Sequence, residues 1–477
     1  MWQSGVLWGL ALASFVASQS SALDEGSDCP CIAFPKCRKR GERRRECQSG
    51  KALYLTPLLE AGHVDEARKK ARVNRRLMCN VESYAGYFTV DKTFNSNLFF
   101  WYFPAKHDSA RAPVVLFLHG GPGVTSLFSL FFLNGPFSIG SEKTCPKLRA
   151  ESWTNKHNVI YIDNPVGTGY SFTEWEGALP TTEMQIGEEL RRAMVQFFQL
   201  FPGLRSNDFF AIGESYAGKY VPAVSYAIHL HNGVVEEEKR INLKGMAIAN
   251  GYTDPVNQLR WAEYLYAGGL LDADGREQFL ELEKQARDLI LNHQHSAAYE
   301  VYDKLIGNGA SLFRNLTGYE ATANILERNI SMRPEVVIKW VDHPYVRRAL
   351  HVGARQFTPF SEKVYDRLKT NRFQSQAYLV AALLEHYRVL VYTGQLDIFC
   401  PYSSVQNYLE KLSWSGAEEF KTAERQLWRA ADGDLAGYVK KAGNLSEVLV
   451  RKAGQLLFLD QPQWTLELLE KFTHGSL

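Results

Sequence analysis

Ser215 stands in Gly213-Glu214-Ser215-Tyr216-Ala217-Gly218, between a short apolar run (209–212) and a helix-like run (219–231). Strand, sharp turn, helix is the setting in which a serine is held on a strained elbow with its hydroxyl exposed. The turn brings backbone close to backbone, so small residues must flank the serine; Gly213 and Ala217 supply them. A hydroxyl so placed is an acyl-transfer nucleophile when a base takes its proton and donors meet the charge growing on the substrate oxygen.

Two further stretches fit that chemistry. Leu118-His119-Gly120-Gly121-Pro122-Gly123 is a glycine-rich turn directly after an apolar run and well upstream of the serine. In a serine hydrolase such a loop gives one oxyanion N–H and the residue after the serine gives the other, here Gly121 and Tyr216. Thr393-Gly394-Gln395-Leu396-Asp397 follows the apolar run 389–392. Asp397 therefore occupies the acid's place in the chain order serine, acid, histidine. Taken by itself, an aspartate at a strand end is an ordinary turn residue; the other two stretches give it meaning.

The elements that must hold these residues are strands alternating with helices. Strands are expected over 83–90, 98–103, 114–118, 159–162, 209–212, 245–249, 389–392 and 448–450, with an amphipathic helix over 183–201. Continuous apolar runs of this length imply a mostly parallel sheet covered on both faces. Between residues 254 and 371 the pattern turns helix-rich and charged, which reads as an insertion over the carboxyl ends of the strands. The expected division is 1–20 signal peptide, 21–80 basic cysteine-bearing segment, 81–253 core, 254–371 helical cap and 372–477 core.

Residues 1–20 carry an apolar run of signal length followed by small residues, too short to span a bilayer. Secretion or a lysosomal or other endomembrane lumen is the expected location, with no membrane span. Asn315, Asn329 and Asn444 each open an N-x-Ser/Thr sequon, consistent with glycosylation there. Of the 7 cysteines, Cys29, Cys31, Cys37 and Cys47 crowd the N-terminus while Cys79, Cys145 and Cys400 are dispersed, and the odd count leaves at least one without an internal partner. The N-terminal spacings match no zinc finger or ribbon, so no metal is expected, and nothing calls for a cofactor. With 54 Lys and Arg against 52 Asp and Glu, a net charge of +2 gives no reason to expect nucleic acid.

Four motifs in this order, His119-Gly120-Gly121-Pro122-Gly123, Asp163-Asn164-Pro165-Val166-Gly167-Thr168-Gly169-Tyr170-Ser171, Gly213 to Pro222, and Gly394-Gln395-Leu396-Asp397, resemble the serine carboxypeptidase family, most of all its vitellogenic-like branch. The resemblance runs from about residue 53 to residue 472. It implies an α/β-hydrolase fold with a helical cap and release of single residues from peptide C-termini, often at acidic pH. Peptide C-termini or peptide-like ligands are the implied partners, and the family is often homodimeric.

Against that pattern three positions depart. The family's catalytic histidine precedes Asp-Gln-Pro; counting back from Asp460-Gln461-Pro462, the position is Gln455. After Asp397 the sole histidine is His474, in the terminal tail. In the pocket that the resemblance assigns to the substrate carboxylate, Glu214 and Gly120 remain, but the amide position is His119 and a glutamate position is Leu133. His351 matches the family without being its base and reads as structural. The expected protein is a carboxypeptidase homologue impaired by loss of its base. A working carboxypeptidase with an atypical base, with His119 the candidate, and another α/β-hydrolase peptidase or esterase are the alternatives.

Overall fold

The computed structural model describes residues 49–139, 146–307, 309–330 and 332–477. The signal-like segment, the four N-terminal cysteines and Cys145 lie outside them. The described residues form twelve strands: β1 (Tyr84–Asp91), β2 (Ser96–Phe103), β3 (Val114–Leu118), β4 (Phe137–Ser138), β5 (Lys147–Leu148), β6 (Asn158–Ile162), β7 (Phe209–Glu214), β8 (Leu243–Ala249), β9 (Arg388–Gly394), β10 (Gln426–Arg429), β11 (Leu435–Ala442) and β12 (Leu445–Val450). Ten form one sheet in the order β1-β2-β6-β3-β7-β8-β9-β12-β11-β10, and β4 pairs with β5. The six central strands, β6 to β12 in that order, run parallel, with antiparallel pairs at both ends.

The reason is visible along β3, where all five residues are buried. Leu116 and Leu118 join the core on one face; Val115 and Phe117 join the core on the other. A strand with both faces covered has no polar side to show. On the first face lie the helices Glu183–Leu200 and Ala217–Val234, which bring Ile186, Leu190, Phe197, Val221 and Val224. Thr182 caps the first of these by accepting the Gln185 N–H. On the second face pack Trp101, Trp153, Phe458, Leu468 and Phe472.

Because the central strands are parallel, their carboxyl ends share one edge. The turns after β3, β7, β8, β9 and β12 therefore meet there, carrying His119, Ser215, Asn250, Asp397 and Gln455. Between β8 and β9 the chain is helical, including Ala273–Leu291 and His295–Ile306. This segment leans on the site through Tyr264, whose hydroxyl donates to the Gln395 carbonyl (3.1 Å), and through the Ile325 N–H, which donates to the Leu396 carbonyl (2.9 Å). Residues 49–80 pack on β1: Leu55 N–H donates to the Tyr87 carbonyl, Tyr87 N–H to the Leu53 carbonyl, and Ala67 and Ala71 are fully buried.

The strands β10 and β11 were not expected from sequence. β10 is largely exposed and β11 is mixed, with Lys440 and Lys441 inside it, so neither shows the apolar run that marks the inner strands. Cys79 is disulfide-bonded, and Cys400 is a free, buried thiol.

Candidate active site

Ser215 has φ +59°, the left-handed region, directly after β7 and directly before the helix Ala217–Val234. Its N–H donates to the Ala249 carbonyl (3.0 Å), and its carbonyl accepts from Gly218 (2.9 Å) and Tyr252 (3.0 Å). These bonds hold a conformation that a serine otherwise avoids. Gly120 lies against the elbow so closely that a Cβ there would sit 2.6 Å from the Tyr216 nitrogen and 2.8 Å from the Glu214 carbonyl oxygen. Both are backbone atoms, so neither yields easily. Gly120→Ala is expected to destabilise the protein by about 2 kcal/mol or more, read as a lowered thermal midpoint; an unchanged midpoint means the loop can move away at little cost.

The glycine loop is positioned from a second motif. Asp163, at the end of β6, accepts from the Thr125 hydroxyl (2.5 Å), the Ser126 N–H (3.1 Å) and the Tyr170 N–H (2.8 Å). Ser126 in turn donates to the Ile162 carbonyl (2.6 Å) and accepts from the His119 N–H (3.3 Å). Burial pushes the Asp163 carboxyl up to about 6. The Asp163-to-Ser171 stretch thus ties the loop after β3 to the end of β6. At Gly121, φ is +126°, and neither its N–H nor that of Tyr216 is spent on a backbone acceptor among the described residues outside the regular helices and strands.

At the base position, Gln455 donates its Nε2–H to Ser215 Oγ at 3.3 Å. The turn that carries it is fixed at several points. Gln455 N–H donates to the Ala323 carbonyl (2.7 Å), Gly454 N–H to Asp460 Oδ2 (2.7 Å), and Asn250 Nδ2 to the Gln455 carbonyl (2.7 Å). Asn250 Oδ1 also accepts the Gly394 N–H (2.8 Å), so one side chain clamps the end of β9 to the Gln455 turn.

Asp397 is fully buried. Its Oδ1 accepts the N–H groups of Phe399 (2.8 Å) and Cys400 (3.2 Å), while its Oδ2 has no hydrogen-bond partner. Burial pushes this carboxyl up to about 8, with Asp460 adding in the same direction. Among the described residues no histidine hydrogen-bonds to Ser215 or to Asp397. His119 turns elsewhere: its Nδ1 lies 2.7 Å from both Ser129 Oγ and Glu214 Oε1. Ser129 also donates to Glu214 (3.3 Å). Leu133 is buried at the end of the turn Ser129–Leu133 and adds no polar atom. His351 Nε2 meets the Arg72 carbonyl (3.2 Å), and His474 Nδ1 meets the Glu470 carbonyl (2.8 Å) at the end of the last helix.

Sequence reasoning missed Ser126, Ser129 and Asn250, which hold the loop, the His119–Glu214 pair and the Gln455 turn. Their only signal is a polar residue just past an apolar run, which turns share everywhere. Of the sequons, Asn315 and Asn329 are exposed, and Asn444 is half-buried with its Nδ2 donating to the Leu384 carbonyl (2.8 Å).

The arrangement sets the Ser215 hydroxyl beside the glycine loop, with the Gln455 amide hydrogen-bonded to it and the buried Asp397 carboxyl on the turn after β9. A serine carboxypeptidase family model matches residues 74–475. The venom serine carboxypeptidase of Apis mellifera is 50% identical over 436 residues, covering 90% of this chain and 92% of that protein. The vitellogenic carboxypeptidase of Aedes aegypti is 44% identical over 440 residues, covering 91% and 92%. A solved structure of Kex1(Δ)p, a prohormone-processing carboxypeptidase from Saccharomyces cerevisiae, superposes with a TM-score of 0.74 at 21% identity, covering 86% of this chain and 96% of that one, and shares the fold. With the four motifs gathered at one edge of a mainly parallel sheet and a family match spanning most of its length, this chain belongs to the serine carboxypeptidase family.

Proposed function

We propose that this member of the family binds peptide C-termini but hydrolyses them poorly, because position 455 supplies no base. One observation carries the reading: Gln455 Nε2 donates to Ser215 Oγ at 3.3 Å while Asp397 Oδ2 has no partner. An amide nitrogen has no basic lone pair, so Gln455 cannot accept the hydroxyl proton that attack must release. Loss of a triad member removes about 10⁴- to 10⁶-fold of rate, leaving the oxyanion donors and binding. In this reading Ser215 and Asp397 are the remnants of the triad and Gly121 and Tyr216 the oxyanion donors. The pair His119–Glu214, with Gly120 beside it, receives the ligand's terminal carboxylate when His119 is protonated; Leu133 only closes the wall. His119 is not the replacement base in this reading, since it makes no hydrogen bond to Ser215, whose Oγ is met by Gln455 instead.

The test is a fluorophosphonate probe on Ser215 together with blocked dipeptide substrates between about pH 4 and pH 7. Weak labelling and turnover near that of Ser215→Ala are expected. Strong labelling with turnover well above the Ser215→Ala level overturns the reading.

The working place is a secretory or lysosomal lumen. Support comes from the signal-like residues 1–20, the three sequons and a relative named for venom; the described residues contain no helix long and apolar enough to cross a membrane. Glycans on Asn315, Asn329 and Asn444 and a homodimer belong to the same proposal.

A further inference from the structure

Beside the elbow lies a buried cation that makes no ion pair among the described residues. Arg372 is 5% exposed, and its Nε has no hydrogen-bond partner. Its guanidinium carbon lies 5.8 Å from the ring centre of Tyr216, 5.1 Å from that of Tyr302 and 4.9 Å from that of Tyr365. No ion pair to Arg372 is found among the described residues. Of the neighbouring carboxylates, Glu183 accepts the Tyr216 hydroxyl (2.7 Å) and the Gln376 Nε2–H (3.5 Å), and Asp254 accepts from Asn257 (2.6 Å) on one oxygen while its Oδ1 has no partner; neither is ion-paired to Arg372. Lys219, also fully buried, brings a second positive charge near the Tyr216 ring at 5.9 Å. Burial holds the phenols of Tyr216 and Tyr252 well above their ordinary range, so they stay neutral and offer no compensating charge. Ring faces attract a cation, but they recover only part of what leaving water costs it.

The position of this cation decides what it meets. Glu214 and Tyr216 flank Ser215 and lead to different surroundings, Glu214 to His119 and Ser129, Tyr216 to Glu183 and Arg372. Tyr252, whose N–H holds the Ser215 carbonyl, stacks 6.4 Å from Tyr216 on that same second side. If the ligand's terminal carboxylate is received by His119 and Glu214, the residue before the scissile bond falls toward Tyr216. Tyr365, half-buried, marks the side of the cage nearest solvent.

We propose that Arg372 makes this side a subsite for an acidic side chain, so that the ligand is a peptide with Asp or Glu as its penultimate residue. Its carboxylate meets the guanidinium fork, whose Nε has no partner, and gives it the direct ion pair that the tyrosine rings do not. The inference rests on the terminal-carboxylate reading above, and the experiment separates the two. Tetrapeptides with penultimate Glu, Gln or Leu, each as free acid and as C-terminal amide, are titrated calorimetrically into the intact protein at mildly acidic pH. The Glu free acid is expected to bind about 10-fold tighter than the Gln one, because its hydrogen bonds are charge-assisted. Arg372→Gln is expected to erase that difference while leaving the Gln peptide within roughly 2-fold of its wild-type affinity. Equal affinities for Glu and Gln free acids in the wild type overturn the proposal. Free acids that bind no tighter than their amides overturn the terminal-carboxylate reading instead. If Arg372→Gln does not fold, Arg372→Lys serves: it keeps the charge but loses the fork, and a preference as large as wild type's sinks the role of the guanidinium.

Discussion

Gln455→His is expected to raise kcat/KM on a blocked dipeptide by about 10³-fold or more over the wild type, the larger part of what a missing triad base costs. The backbone is already suited to it. The Gln455 turn is held by Ala323, Asn250 and, through Gly454, by Asp460, none of which uses the Gln455 side chain. That side chain already reaches Ser215 Oγ at 3.3 Å. An imidazole from the same Cα can place one nitrogen at Ser215 and turn the other toward Asp397, whose Oδ2 is unpaired. Accepting an imidazole N–H fixes the tautomer and stabilises the imidazolium formed during attack. The gained activity should rise through a limb near the ordinary imidazole value of roughly 6.5 and vanish on adding Ser215→Ala. A folded Gln455→His protein with no gain would mean that the deficit lies in the carboxylate pocket. Adding Leu133→Glu, which returns a hydrogen-bonding group there, is then the decisive second variant.

That Ser215, the glycine loop and Asp397 would meet was legible in sequence for a physical reason. Each follows a run buried on both faces, and in a parallel sheet every such run ends at the same edge, so motifs far apart in the chain converge. Gln455 was different. A glutamine in a polar turn has no signature, and only the spacing to Asp460-Gln461-Pro462 in the family pattern assigned it a role. Asn250 was not legible, because its partners lie 204 and 205 residues away, and a polar residue after β8 looks like any turn. Arg372 sits in a charged stretch where an arginine reads as solvated; its burial among tyrosines is set by tertiary contacts alone. The outer strands β10 and β11 escaped because strands near the sheet edge with one wet face lose the apolar run that made the inner strands plain.

Asp397→Asn is expected to stabilise the wild-type protein strongly near pH 8 and hardly at all near pH 4, at no catalytic cost while Gln455 is present. The folded carboxyl is pushed up to about 8, whereas in the unfolded chain it titrates near its ordinary value. Between those values the folded state holds a proton that the unfolded state has released. Folding therefore takes up a proton, and stability falls as pH rises through this window. Above it the full penalty of a buried, ionised carboxylate persists. The change should reach about 3 kcal/mol or more by pH 8, read as the difference between wild type and Asp397→Asn in denaturant unfolding at the two pH values. Asparagine keeps the acceptor for Phe399 and Cys400 and leaves no charge on the orphaned side. Asp163, Glu447 and Glu189, pushed up to about 6, 7 and 8, add their own slope in the same direction, but it is common to both proteins and cancels in the difference. In the Gln455→His background the stabilising effect should disappear. An imidazolium beside Asp397 draws its carboxyl back toward the ordinary range, so Asp397→Asn there should forfeit the gained activity and cease to stabilise. A stabilising effect of equal size in both backgrounds would show that the new histidine never reaches Asp397.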